Sequence, residues 1–246
     1  MRKNWLFLMV CGLTCLALPS FGFSQNVAIY DDGQPVLRAL TTAAPVYPDG
    51  VAMEVVRNVD GDTVDVIVDG VNQESARMIC IDTPESFYQG FYQKYGNEAK
   101  AALQQLVPVG TKGTLRFQQT QRDTYGRLLA YVYVGDKNIN LEMVKIGWAA
   151  IYLYYPVDSY ANDFLTASIG AAEAGLGIWS KSDPLLEMPY EFRRRMSKGY
   201  GNSWPANPQT KIFVRPTRAA SVPPYTRFFF SSDGQAQADG FRFVEE

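Results

Sequence analysis

The sequence predicts a β-rich α+β protein: a small five-stranded barrel with three helices, followed by a C-terminal extension of unspecified fold. Three observations predict it. Short β-branched runs, separated by Asp-Gly and Gly-Val-Asn turns, begin at Val51. A helical segment follows the third run, and two more follow the fifth. The balance of charge then changes sign beyond residue 180.

In chain order, "MRKNWLFLMVCGLTCLALPSFGFSQN" places a basic start (Arg2, Lys3) before an apolar run from Trp5 to about Leu18. With Gly22 and Ser24 behind it, residues 1–24 read as a secretory signal peptide cleaved after Ser24. The mature chain is then expected to be exported, periplasmic or secreted, with no stable membrane span. Pro19 and the small residues argue against an uncleaved anchor, and neither Cys11 nor Cys15 follows a Leu-Ala-Gly type of tripeptide. Residues 25–50 form an N-terminal arm with one short strand expected near Val36 to Leu40.

Residues 51–180 hold the barrel. "VAMEVVRNV", "TVDVIVD" and "ESARMICI" are three strand-like runs whose simplest arrangement is an antiparallel meander. Asn97 is the expected cap of a helix that puts Ala99, Ala102, Leu103 and Leu106 on one face before Pro108 stops it. "GTLRFQQ" and "RLLAYVYV" supply two more strands. "NLEMVKIG" reads as a short helix capped by Asn140. A last helix after Asp158 places Ala161, Phe164, Leu165, Ser168, Ile169 and Ala172 on one stripe and ends at Gly175 and Gly177. This order suggests an OB-fold barrel, although a split α+β sheet would read similarly.

Residues 181–246 form the basic, aromatic extension. Between Leu185 and Phe230 there are eight basic residues against two acids, whereas residues 51–180 hold ten basics and fifteen acids. "MPYEFRRRMSKGYGNSWP" reads as a helix and a loop. Its three consecutive arginines would point around three sides of that helix, as a solvated face does or as a polyanion-binding one could. "RFFFSS" and "FRFVEE" are expected to pair as a terminal hairpin turning at "SDGQ".

Composition narrows the chemistry. There is no histidine, which excludes Ser-His-Asp and Cys-His catalysis, His-ligated zinc and any histidine general base. After cleavage Cys80 is the one cysteine, so no intrachain disulfide forms, and its simplest role is as a small buried hydrophobe. Without Arg2 and Lys3 the chain carries 21 basic and 25 acidic residues, a net charge of −4. Any nucleic-acid contact therefore depends on local charge.

Asp60 and Asp62 flank a glycine at a hairpin, and Asp82 and Glu85 lie just past the third strand. If these strands are neighbours, the acids converge and would repel one another unless a cation sat between them. All-oxygen donors favour a hard ion such as Ca²⁺ or Mg²⁺. Asp-Gly is also a common hairpin turn with no further meaning. An EF-hand is excluded because Val64 occupies its next ligand position. Arg77 opens an apolar strand and Arg127 follows "DTYG". Each could be a surface charge. Beside a metal–carboxylate cluster, two arginines are what phosphodiester hydrolysis needs.

These motifs, in order and spacing, resemble the staphylococcal nuclease (thermonuclease) family over about residues 51–180: "DGDT", Arg77 then "IDTPE", "KYGNEA", "DTYGRLLAYVYV" and "IW". The resemblance implies a Ca²⁺-dependent endonuclease acting on DNA and RNA, with the OB-fold barrel inferred above; a monomer is expected. It implies that Asp62, Asp82 and the Thr83 carbonyl hold the ion and that Asp60 supports them. Glu85 would activate water, and Arg77 and Arg127 would clamp the phosphate, Arg127 also assisting the leaving oxygen. Tyr125, Tyr152 and Tyr154 would contact the terminal phosphate or stack on a base.

Some positions depart from the pattern. "SFYQGFYQK" carries aromatics where the family has lysines, and Thr124 replaces a lysine beside the tyrosine. Either the basic extension compensates or affinity is lower. Phe87, Tyr88, Phe91 or Tyr92 could stack on bases or simply pack the loop. The alternative function is a catalytically silent nucleic-acid or protein-binding module, which would be expected to have lost members of the acid–arginine set.

Overall fold

The computed structural model describes residues 27–31, 34–38, 44–157, 159–196 and 203–245. The expected signal peptide at residues 1–24 lies outside them. In the arm, β1 (Val27–Asp31) and β2 (Gln34–Arg38) form an antiparallel hairpin with Val27 opposite Arg38. The expected strand near Val36 to Leu40 thus begins at Gln34 and has a partner. This hairpin lies in a unit ending at Pro45; the chain from Val46 onward packs as a unit of its own.

In that second unit β3 (Val51–Asn58), β4 (Thr63–Val68) and β5 (Asn72–Met78) make the predicted meander. Val51, Met53 and Val55 point inward while Ala52 and Arg57 are exposed, the period-two pattern of a strand with one wet face. Ile79 breaks the third run, so β6 (Cys80–Asp82) is a separate strand. Helix α1 (Gly96–Leu106) follows, then β7 (Lys112–Arg122) and β8 (Leu128–Val134). β5 closes the five-stranded barrel by pairing in parallel with β8, Arg77 opposite Leu129. Val55, Val64, Val66, Leu115 and Val132 are wholly buried inside it. Each such side chain contributes roughly 1.5–3 kcal/mol on burial.

β9 (Lys137–Asn138), α2 (Ile139–Lys145), β10 (Ala150–Tyr154) and α3 (Ala161–Ala174) complete this part. Two helix starts differ from expectation. At α1 the cap position is Tyr95, left-handed at φ 69° with no side-chain bond, and Asn97 lies inside the first turn. Contact with the preceding loop sets this entry: a Cβ on Gly96 would lie 2.3 Å from the Glu85 carbonyl oxygen. At α2 the cap is Asn138, whose side chain accepts from Leu141 N at 3.3 Å. Asn140 is instead fully buried, accepting from Val132 N at 3.0 Å and donating to the Ile79 and Ala130 carbonyls at 2.9 and 3.1 Å. It thereby braces the break between β5 and β6.

The extension folds onto this frame. Helix α4 (Pro189–Met196) is followed by β11 (Trp204–Asn207), β12 (Ile212–Phe213), β13 (Phe228–Phe230), α5 (Asp233–Ala238) and β14 (Arg242–Phe243). Their strands join β10 and β6 in one six-stranded sheet of order β14-β12-β11-β13-β10-β6. The expected terminal hairpin is absent. Phe228, Phe229 and Phe230 are all buried, as in a strand covered on both faces, and β13 runs between β11 and β10. "SDGQ" does not turn but starts α5, with Ser232 Oγ accepting from Gln235 N at 3.1 Å. β14 pairs with β12 instead. Among the described residues no helix is long and apolar enough to cross a membrane.

Candidate active site

The β3–β4 hairpin and the β5–β6 break bring the predicted acids together. In the "DGDT" turn Asp60 Oδ1 accepts from Asp62 N at 3.0 Å, and the Val59 amide donates to the Thr63 carbonyl at 2.9 Å. Gly61 is required there, since a Cβ would meet Thr83 Oγ1 at 2.7 Å. That close approach lets Asp62 Oδ2 accept from both Thr83 N (2.8 Å) and Thr83 Oγ1 (3.0 Å). Thr63 lies opposite Arg77 in the sheet, so Arg77 stands between the two acidic segments. It ion-pairs with Asp62 Oδ1 and donates to Asp82 Oδ1 at 3.0 Å and to the Ile81 carbonyl at 3.1 Å.

The closing pair of the barrel sets the second arginine. Arg127 directly precedes β8, whose Leu128 faces Ala76, so both arginines come to the same end of the barrel. Arg127 Nε donates to Asp123 Oδ2 at 2.8 Å while a third of its side chain stays exposed. Its guanidinium lies 5.6 Å from the centre of the exposed Tyr125 ring. Tyr152 sits across from Cys80 in the β6–β10 pair, and its hydroxyl is 3.1 Å from that of Tyr154. Asp60, Asp62, Arg77, Glu85, Tyr125, Arg127, Tyr152 and Tyr154 line one cavity of about 1030 Å³, and Asp82 and Thr83 do not. Phe87 and Tyr88 reach it too, whereas Phe91 and Tyr92 do not line it. Cys80 is half-buried, with Sγ 2.9 Å from the Tyr131 hydroxyl.

The other wall belongs to the extension, and here the sequence reading requires correction. The arginine triplet is not simply a solvated face. Arg193 turns inward, donating from Nη1 to Glu85 Oε1 at 2.6 Å and from Nη2 to Asp82 Oδ2 at 2.8 Å. Nη1 is also 2.7 Å from Asp82 Oδ1. Arg195 stays at the surface and pairs with Glu187. Tyr190 and Phe229, also from the extension, pack on Tyr152, Tyr190 nearly parallel to it at 5.8 Å. Ser203 Oγ lies 2.7 Å from the Tyr154 hydroxyl. One signal points to this side of the helix: Arg193 and Arg194 follow Tyr190 by three and four residues, so both share its face, and both line the cavity.

Burial and charge compete throughout this cluster. Burial pushes the Asp60 carboxyl above the usual carboxylate range, against the pull of Arg77. Burial likewise raises Glu85, and the Arg193 charge opposes it. For Arg77 burial lowers the guanidinium pKa, with Asp82 opposing. For Arg193 burial acts in the same sense, but Asp82 and Glu85 together outweigh it, so the group is held more firmly charged than usual.

The donor set suits a hard divalent ion in one respect: Asp62 and Asp82 converge on a single positive group, the Arg77 guanidinium. No cluster of three or more acidic, Cys or His side chains able to hold a metal occurs among the described residues. A full coordination shell would therefore draw on the Thr83 carbonyl and water. Chemically, the cavity combines a half-buried carboxylate at Glu85 with guanidinium groups that can neutralise a phosphate.

Comparison with known proteins fits this geometry. The family described as "Staphylococcal nuclease homologue" matches residues 75–181. Endonuclease YhcR of Bacillus subtilis (strain 168) is 32% identical over 196 residues, which is 76% of this chain and 16% of that protein. Endonuclease YncB of the same organism is 40% identical over 129 residues, 51% of this chain and 60% of that one. An uncharacterized endonuclease of Haemophilus influenzae is 35% identical over 141 residues, 57% of this chain and 72% of that one. The chain spans less than two thirds of the length of the two Bacillus proteins.

Proposed function

The chain belongs to the staphylococcal nuclease homologue family, and from that premise we propose that it is an exported, Ca²⁺-dependent endonuclease hydrolysing the phosphodiester bonds of DNA and RNA. The observation that carries this reading is the gathering of Asp62, Arg77, Glu85 and Arg127 on one cavity, with Asp82 directly behind Arg77. Export is supported by the basic start and apolar run ahead of Ser24.

In this reading the scissile phosphate lies against Arg77 and Arg127, whose planar guanidinium groups suit phosphate oxygens and offset the charge that grows as water attacks. The Glu85 carboxylate takes the proton from that water. An ordinary glutamate ionises near ~4.3. Burial raises Glu85 above its ordinary value, which brings it closer to a working base at neutral pH. Asp60 holds the turn that presents Asp62. Asp62, Asp82 and the Thr83 carbonyl would hold the ion. When bound, Ca²⁺ supplies further positive charge at the phosphate. Tyr125, Tyr152 and Tyr154 border the space a flanking nucleotide would fill.

The test is degradation of plasmid DNA and of total RNA by the mature chain, with Ca²⁺ and with EDTA. Cleavage of both in Ca²⁺ and of neither in EDTA is expected. Cleavage that survives EDTA removes the metal from the reading; a folded protein inert in Ca²⁺ makes it a binding module.

A further inference from the structure

We propose that Arg193 is a cation built into the site by the extension, which a divalent ion must displace from Asp82, so that the extension sets the metal affinity of the barrel. This inference rests on the metal reading above and concerns how the chain's own residues meet the ion.

The acids at this end of the barrel are buried, and buried carboxylates cannot share a site without compensating positive charge. Asp82 has no exposed surface, yet both of its oxygens are satisfied. Oδ1 is shared by Arg77 and Arg193, and Oδ2 accepts from Arg193 at 2.8 Å. Arg193 also reaches Glu85, so one guanidinium joins the residues expected to be ligand and base. A metal ligated by Asp82 would take the oxygens that Arg193 now holds. One charged group has to yield to the other.

Arg193 is not a surface side chain that happens to fall inward. Its helix is fixed by buried Tyr190 and Phe192 on either side of Glu191. Glu191 is in turn gripped by Arg227, a fully buried arginine whose Nη1 donates to Glu191 Oε1 at 2.9 Å. Gln93 joins the base loop to the extension as well, accepting from Glu85 N at 3.2 Å and donating to the Glu187 carbonyl at 2.7 Å. These anchors are independent of Arg193, so Arg193→Gln is expected to leave the extension docked.

The experiment is calorimetric titration of Ca²⁺ into the full mature chain freed of metal, comparing wild type, Arg193→Gln and Arg195→Gln. Removal of the competing charge should tighten Ca²⁺ binding by at least about tenfold in Arg193→Gln. Arg195→Gln, which alters a surface pair with Glu187, should bind as wild type does. Equal or weaker binding by Arg193→Gln overturns the proposal, as does an equal gain in Arg195→Gln. A second measurement uses the wild type alone: amide hydrogen exchange across Pro189–Met196 should accelerate when Ca²⁺ is added. Unchanged or slower exchange also overturns it. Binding to neither wild type nor Arg193→Gln contradicts the metal site itself, a failure distinct from metal bound without competition.

Discussion

The two walls of the cavity are built in different ways. The barrel wall takes Asp62, Arg77 and Asp82 from a hairpin and a broken strand, and backbone bonds such as Met78 N to the Asp62 carbonyl at 2.8 Å fix their separations. The extension wall takes Phe229 from β13, a strand paired with β10, and takes Tyr190 and Arg193 from a helix placed by packing and side-chain bonds, chief among them the buried Glu191–Arg227 ion pair. Chemistry set by local spacing is robust to how distant segments dock. Charge delivered by docking can be withdrawn if the docking loosens.

The largest expected effect breaks the docked wall. Arg227→Leu removes a guanidinium that donates to Glu191 and twice to the Val222 carbonyl, at 2.9 and 2.6 Å. Burial lowers the Arg227 pKa to about 10, so this charge is held at a desolvation cost. Its loss should destabilise the chain by about 3 kcal/mol, read by denaturant unfolding. A change under about 0.5 kcal/mol would mean that the extension does not depend on this pair.

Next, Arg127→Ala probes the barrel wall. Because Arg127 bonds chiefly within its own turn and is partly exposed, stability should change little. The cleavage rate should fall by about 10²–10³, as when one transition-state donor is lost. An unaltered rate would place the phosphate elsewhere.

The smallest effect is a control on the barrel away from the site. Glu74 accepts from Tyr47 Oη at 2.8 Å and from Arg122 at 2.8 and 2.9 Å. The Arg122 bonds hold its carboxyl below the usual range, against burial. A depressed folded pKa gives stability that is present above the unfolded value and lost as pH falls through the folded one. Glu74→Gln should therefore lower stability by about 1 kcal/mol at neutral pH. The gap should close as pH falls below about 4, with cleavage unaffected throughout. A gap independent of pH would show that the charge is not what stabilises.

The same contrast explains what the sequence made legible. The meander, the closing strands and the helices follow from periodicity and turn residues, and the acids and Arg77 follow from short-range motifs. The sequence points to caps at Asn97 and Asn140, but a contact with Glu85 and a buried polar bracket, both tertiary, outweigh their local preference. The aromatic run at Phe228 to Phe230 looked like half of a hairpin because nothing local shows that β10 lies beside it. The spacing from Tyr190 points to Arg193 and Arg194 together; that Arg193 is the one to meet Asp82 and Glu85 is set by how the extension docks, which nothing local shows.

The most direct test of the site is the initial rate of plasmid cleavage by Glu85→Gln against wild type in saturating Ca²⁺, with thermal unfolding of both. A rate lower by about 10²–10⁴ at an unchanged melting temperature is expected from loss of the base. A Glu85→Gln protein that cuts as fast as wild type contradicts the assignment on which the barrel wall depends.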